Sequence, residues 1–158
     1  YTQSYTLSLH DALPIYVKMV LQNLVDIGNK LKSLDLIEVS LEAVRENEGM
    51  LIEMNHAQLQ NSIDREGEPL GEYASIEYAN LKGRIDVDLR LTGAFYRSWR
   101  IDADKFPIIF GATDSKTEEL TQKYGEEIFG TTKGNTERVA QEICLPRCQQ
   151  SIIQALHV

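Results

Sequence analysis

Apolar residues recur every three or four positions in the first part of the chain, which is the spacing of one face of an α-helix. This spacing predicts a helix over residues 20–32, with an apolar stripe of Val20, Leu24, Ile27 and Leu31. A polar break follows at residues 33–35. A second, longer helix is predicted over residues 36–63, with a bend at Gly49 and an apolar face of Ile37, Leu41, Val44, Leu51, Leu59 and Ile63.

The pattern changes after this helix. Residues 64–71 contain two Gly and one Pro and predict a loop. A short helix is expected over residues 73–81, capped by Ser75 and ended by Gly83. Apolar and polar residues then alternate over residues 85–91, which predicts a half-buried strand with Asp86 and Asp88 on its wet face.

Further short elements are predicted in the last third of the chain. One helical turn is expected at residues 95–98, followed by two strands at 99–103 and 106–111, of which the second should lie at a sheet edge because it contains Pro107. A helix is expected over residues 115–123 and a loop over 131–135. The last helix should cover residues 136–156 and kink at Pro146.

The order of these elements predicts an α+β protein, with two N-terminal helices, a small antiparallel sheet of about three strands and C-terminal helices. Residues 19–158 are long enough for a single domain. The net charge of −8 is unfavourable for a nucleic-acid surface, which needs clustered Lys and Arg. No stretch approaches the roughly 20 apolar residues that span a bilayer. Neither a nucleic-acid nor a membrane partner is therefore expected.

Residues 5–15, with the sequence YTLSLHDALPI, resemble a reading-frame translation of a short-read sequencing adaptor. We therefore expect residues 1–18 to be a non-native leader, with Met19 as the candidate start. The pair His10 and Asp11 lies within this run, so it is left out of the search for catalytic residues.

Three groups of side chains could carry chemistry. Asp86, Asp88 and Asp102 could hold a metal ion for a small metal-dependent nuclease, although carboxylates on the wet face of a strand are the simpler interpretation. A nucleophile could form from His56 and either cysteine, but nothing in the sequence favours it. Cys144 and Cys148 stand four residues apart on a predicted helix, where a disulfide or half of a metal site is conceivable, but two reduced thiols are expected.

The aromatic stretch near the sheet offers a candidate protein contact. Tyr96, Arg97 and Trp99 belong to residue types enriched at interfaces, although most of these aromatic residues are expected in the core. An edge strand around Phe106 and Ile108 could extend a sheet across subunits. The candidate interaction residues are therefore Tyr96, Arg97, Trp99 and Ile108.

Three segments in this order resemble the phage virion-morphogenesis, or tail-completion, family. They are DREGEPLGEY at residues 64–73, LRLTGAFYRS at 89–98 and YGEEIFGTT at 124–132, and the likeness covers about residues 55–156. Leu91 stands where Asp is commoner before Thr-Gly, and the third segment lacks the family's Pro-Phe pair. The N-terminal helices resemble a divergent branch found in phage and prophage genes.

The resemblance implies a non-enzymatic structural protein without cofactor, metal or catalytic residue. Such a protein would act at the head–tail junction or tail end, in the virion and in the host cytoplasm during assembly. Its partners would be a connector, tail terminator or tail tube, with a homo-oligomer on the virion as a further expectation. The alternatives are the nuclease and a bacterial regulatory binding module.

Overall fold

The computed structural model describes residues 9–156, with side chains from Tyr16 onward. The described chain is α+β, mostly helical, with one two-stranded antiparallel sheet. The strands are β1 (Trp99–Asp102) and β2 (Ile109–Ala112). The helices are α1 (Leu9–Lys32), α2 (Leu36–Glu46), α3 (Glu48–Gln60), α4 (Ile76–Lys82), α5 (Ala94–Arg97), α6 (Thr117–Tyr124), α7 (Lys133–Val139) and α8 (Leu145–Leu156), with a 3-10 turn at Glu126–Ile128 and a π-helical segment at Ala140–Cys144.

The chain divides into two compact units, which are described separately. The first comprises residues up to Asp35 together with residues from Gln149, and it contains α1. The second is Leu36–Cys148, and it contains the sheet and both clusters of the hydrophobic core. The larger cluster consists of Leu59, Val87, Leu89, Phe95, Tyr96, Trp99 and Ile128. The single domain expected over residues 19–158 stays a prediction.

The first predicted helix is present but begins earlier, because α1 starts at Leu9 rather than at residue 20. The expected adaptor-derived leader is untested, and its residues 1–8 lie outside the described part of the chain. The second predicted helix is divided into α2 and α3 at Asn47, whose side-chain amide donates to the Ala43 carbonyl at 2.8 Å. Gly49 therefore lies within α3 rather than at the break.

The short helix after the first loop follows its predicted signals. Ser75 caps α4, accepting a hydrogen bond from the Tyr78 amide at 3.2 Å, and Gly83 ends the helix with a φ of 68°. A positive φ is easy for glycine because it has no Cβ. The cap and the glycine therefore set the bounds of α4 as the sequence suggested.

The prediction of a strand at residues 85–91 is wrong. This segment is irregular, with one isolated bridge between Glu72 and Asp86. Val87, Asp88 and Leu89 are all buried in succession, and Leu89 has a φ of 52°. The left-handed backbone at Leu89 interrupts the extended conformation that a strand needs, and the sheet has two strands rather than about three.

The next two predicted strands exist, at slightly different positions. They form the β1–β2 pair, in which Trp99 lies opposite Ala112 and Asp102 opposite Ile109. Pro107 precedes β2 rather than belonging to it, and the Phe106–Pro107 peptide bond is cis. The pair is antiparallel, as predicted.

The C-terminal helices also differ in their limits. α6 begins at Thr117, and α7 begins at Lys133 inside the predicted loop, because Thr132 caps it by accepting a hydrogen bond from the Asn135 amide at 3.4 Å. The chain stays helical through the π segment and past Pro146. Among the described helices, none has both the length and the apolar character needed to cross a membrane.

Candidate interaction site

The β1–β2 pair leaves one strand edge open. On the outer side of β1, the Ile101 amide donates to the Glu48 carboxylate of α3 at 3.0 Å, so this edge is covered. No third strand follows β2 within residues 9–156. The outer edge of β2 therefore has no strand partner in this part of the chain.

The register shows which backbone groups of β2 point outward. The Thr113 amide donates to the Ser98 carbonyl at 3.1 Å, which makes these two residues a hydrogen-bonded pair. Hydrogen-bonded and non-hydrogen-bonded pairs alternate in an antiparallel ladder, so Gly111 and Ile109 also face β1. The amides and carbonyls of Phe110 and Ala112 point away from it, and neither amide has a partner among residues 9–156.

A groove of about 780 Å³ lies beside this edge. Residues 106–110 line it together with Phe129, Gly130, Thr131 and Val139. The side chains of Phe106 and Ile109 are 52% and 53% exposed. The open edge thus combines unpaired backbone groups with apolar surface, and these are the two features that hold an added strand.

The far side of the groove is held in place by two amide side chains of α3. Asn55 is fully buried, donates to the Ile128 carbonyl at 3.1 Å and accepts from the Gly130 amide at 2.8 Å. Gln58 donates to the Gly130 carbonyl at 3.1 Å and accepts from the Thr132 amide at 2.9 Å. These four bonds satisfy the backbone much as a neighbouring strand would.

Gly130 lies directly against Arg65 of the first loop. Its φ is 116°, and a Cβ there would lie 3.2 Å from Cδ of Arg65. The Arg65 amide in turn donates to the Glu127 carbonyl at 2.9 Å. Only glycine combines this conformation with so close a neighbour.

Two of the four predicted interaction residues are core residues. Trp99 is 1% exposed and Tyr96 is 8% exposed, with the Tyr96 hydroxyl donating to the Asp88 carbonyl. Both pack in the larger hydrophobic cluster, so neither can face a partner without local opening. Arg97 is exposed, and Ile108 is partly buried and lines the groove.

Asp88 is a buried structural residue rather than a surface carboxylate. Its side chain is bonded to Lys82 Nζ at 2.8 Å and accepts from the Tyr73 hydroxyl at 2.7 Å. Burial opposes the charged form, but these two hydrogen bonds, the bond from the Arg90 amide and the Lys82 charge together hold the pKa of Asp88 below its usual value. Burial and the bond to Asp88 raise the pKa of Tyr73 to about 12, so it stays a donor at neutral pH.

The residues proposed for metal chemistry are not arranged as a metal site. Asp86 and Asp102 are exposed, whereas Asp88 is buried and forms an ion pair with Lys82. Within residues 9–156 there is no group of three or more His, Cys, Asp or Glu side chains that could hold a metal ion. Nothing in this arrangement favours the nuclease alternative.

The cysteines and His56 do not form a nucleophilic pair. Both thiols are free, and Cys148 Sγ lies 3.4 Å from the Ser40 hydroxyl. Burial raises the pKa of the Cys144 thiol, which disfavours the reactive thiolate. The Nε2 atom of His56 is buried and has no hydrogen-bond partner among the described residues.

His56 should make stability depend on pH. Its ring lies 4.4 Å from the ring of Tyr96 and 5.2 Å from that of Trp99. Burial lowers its pKa below 6.5, an effect that the Arg90 charge reinforces and the Glu53 carboxylate opposes. The unfolded chain therefore takes up a proton at a higher pH than the folded protein does, so the free energy of unfolding should fall as pH falls below about 6.5.

This pH dependence can be measured by urea denaturation at about pH 7.5 and about pH 5. The His56→Phe variant keeps an aromatic ring beside Tyr96 and Trp99 but cannot be protonated. We expect it to lose less stability than the parent protein on acidification over this range. Equal losses in the two proteins would contradict the assignment to His56.

Comparison of the chain with protein-family models, with curated proteins and with solved structures found no match.

Proposed function

We propose that the protein is a non-enzymatic phage structural or assembly protein, which acts by protein–protein contact at the head–tail junction or the tail end. The observation that carries the proposal is the open edge of β2 beside the apolar groove. A strand added there would bond to the outward backbone groups of Phe110 and Ala112 and cover Phe106 and Ile109. Such a site binds another chain and needs no reactive group.

The packing of the three segments that carry the family resemblance supports the same proposal. The first and third segments are joined by the hydrogen bond between Arg65 and Glu127 at 2.9 Å. The first and second are joined through the larger hydrophobic cluster, because Leu70 and Tyr73 pack against the cluster that contains Leu89 and Phe95. The rings of Phe95 and Phe129 lie 6.0 Å apart and link the second and third. The segments therefore form one structural unit, which a shared architecture would require.

The partners we propose are virion proteins such as a connector, tail terminator or tail tube. The net charge of −8 favours a partner whose contacting surface is neutral or basic. A regulatory binding module in a bacterium could use the same groove. The two candidates differ in what is lost when the gene is removed.

The test is deletion of the gene from the phage or prophage that carries it, with electron microscopy of the particles. We expect unjoined heads and tails, or defective tail ends, and restoration by the parent gene. A Phe106→Glu/Ile109→Glu gene should fail to restore joined particles, because the two acids place charge where the added strand must lie.

The matched control is Leu81→Glu, because Leu81 is 82% exposed on α4 and does not line the groove. It should restore assembly, and both variants should unfold with the same cooperativity as the parent protein. Normal infectious particles from the deleted phage would contradict the assembly role. Restoration by the double variant would show that the groove is not the contact surface.

A further inference from the structure

Helix α1 presents a row of uncovered apolar side chains. From Met19 onward, those at least 37% exposed are Met19, Val20, Leu21, Leu24, Val25 and Leu31. Side chains of this kind are normally directed into a core, and a continuous apolar surface on a folded protein marks a contact site. α1 therefore requires a covering surface.

The spacing along α1 indicates what kind of surface fits. Within α1, Val20, Leu24, Ile27 and Leu31 follow one another in steps of four, three and four residues. A spacing of this kind averages about 3.5 residues and is the seam along which helices pair in coiled coils and helical bundles. The neighbouring Leu21 and Val25 widen the apolar arc to about half of the helix circumference, at 3.6 residues per turn.

Charge separates this unit from the rest of the chain. In residues 1–35 and 149–158, Asp11, Asp26 and Asp35 are balanced by Lys18, Lys30 and Lys32, so their net charge is zero. The whole net charge of −8 belongs to Leu36–Cys148. Removal of residues 1–18 would leave the balance unchanged, because they contain one Asp and one Lys.

This charge distribution favours a second copy as the partner of α1. Two acidic chains repel each other wherever their acidic surfaces meet, and the neutral unit is where that repulsion is smallest. A basic partner would instead be attracted to the acidic unit. We propose that the protein forms a dimer in which the α1 seam of one copy packs along the α1 seam of the other. This goes beyond the proposed function, because it concerns a different element from the β2 edge.

Sedimentation velocity of the full chain over a range of concentrations tests the proposal. The parent protein should sediment as a dimer that dissociates on dilution. Leu24→Asp places a charge in the middle of the seam and should weaken the dimer by about 100-fold or more in dissociation constant, because a buried unpaired charge is strongly disfavoured. Circular dichroism should show that α1 is still helical.

The matched control is Asn29→Asp, which adds the same charge to the polar face of the same helix, where Asn29 is exposed. It should dimerise like the parent protein. Leu24→Ala keeps a strong helix former while removing most of the apolar contact, and it should weaken the dimer by about 10-fold. Because the helix is kept in this variant, a weaker dimer would come from the lost contact and not from unfolding of α1.

A parent chain that sediments as a monomer at every concentration would overturn the proposal, as would a Leu24→Asp variant that dimerises normally. Binding of such a monomer to phosphatidylcholine vesicles would assign the face to a lipid surface instead. Either result would leave the β2 groove proposal standing, because none of these substitutions touches the residues that line it.

Discussion

Replacement of Asp88 by alanine is expected to lower the free energy of unfolding by about 3–5 kcal/mol, the range for breaking a buried ion pair from one side. The change would remove the carboxylate partner of Lys82, whose side chain is 15% exposed and whose Nζ lies 2.8 Å from Asp88. It would also leave the Tyr73 hydroxyl and the Arg90 amide without their acceptor. Urea denaturation followed by fluorescence of the single Trp99 measures this loss.

Asp86→Ala is the matched control, because it removes another aspartate side chain two residues earlier, at an exposed position. Its effect should stay within about 0.5 kcal/mol, as for most surface substitutions. The pair also bears on the nuclease alternative, in which both carboxylates would serve a metal site. Equal and small losses of stability would contradict the structural role of Asp88.

The second large effect is expected from Asn55→Ala. This change would leave the buried Ile128 carbonyl and Gly130 amide without partners, and each unsatisfied group costs about 1–3 kcal/mol. The expected loss of stability is therefore about 2–6 kcal/mol. Hydrogen exchange at the Gly130 amide should accelerate at the same time, because Asn55 accepts its hydrogen bond.

The control for this prediction is Asn61→Ala, at the end of the same helix. Asn61 makes one exposed side-chain bond, to the Ala57 carbonyl at 2.8 Å, and its loss should cost about 1 kcal/mol or less. Unchanged exchange at Gly130 in Asn55→Ala would show that another group holds the segment. If Asn61→Ala lost as much stability as Asn55→Ala, the loss would come from a weakened α3 and not from the buried amide side chain of Asn55.

The sequence was informative wherever one local cause sets the structure. Ser75 and Gly83 fix the ends of α4 through a side-chain cap and a positive φ, and both are visible in the sequence. The β1–β2 pair follows from short apolar runs, although Pro107 precedes the second strand instead of lying in it. These features depend on neighbours a few residues apart, so no knowledge of the tertiary structure was needed.

Residues 85–91 show where this reasoning fails. The alternation of Val87, Asp88 and Leu89 is genuine in the sequence, but long-range partners decide the conformation. Lys82 and Tyr73 bind the Asp88 carboxylate inside the protein, so Asp88 is buried together with Val87 and Leu89 instead of lying on a wet face. An ion pair across a turn outweighs the weak strand preference of a short segment.

The amide side chains that hold the groove were also missed, although a signal was present. Asn55 stands four residues after Leu51 and four before Leu59, and therefore interrupts the apolar stripe of α3. A polar residue in that position must find a partner in the core. The sequence could have indicated a buried hydrogen bond there, but not that its partners lie more than 70 residues further along the chain.

The open edge of β2 has a consequence for how much of the protein a cell can tolerate. A strand edge flanked by Phe106 and Ile109 can accept an identical edge as readily as the intended one, so copies made in excess would add to one another and aggregate. The strand has four residues and the chain carries a net charge of −8, and both features oppose such growth. Supply in proportion to the partner would complete this protection, which makes expression level part of the solubility of the fold.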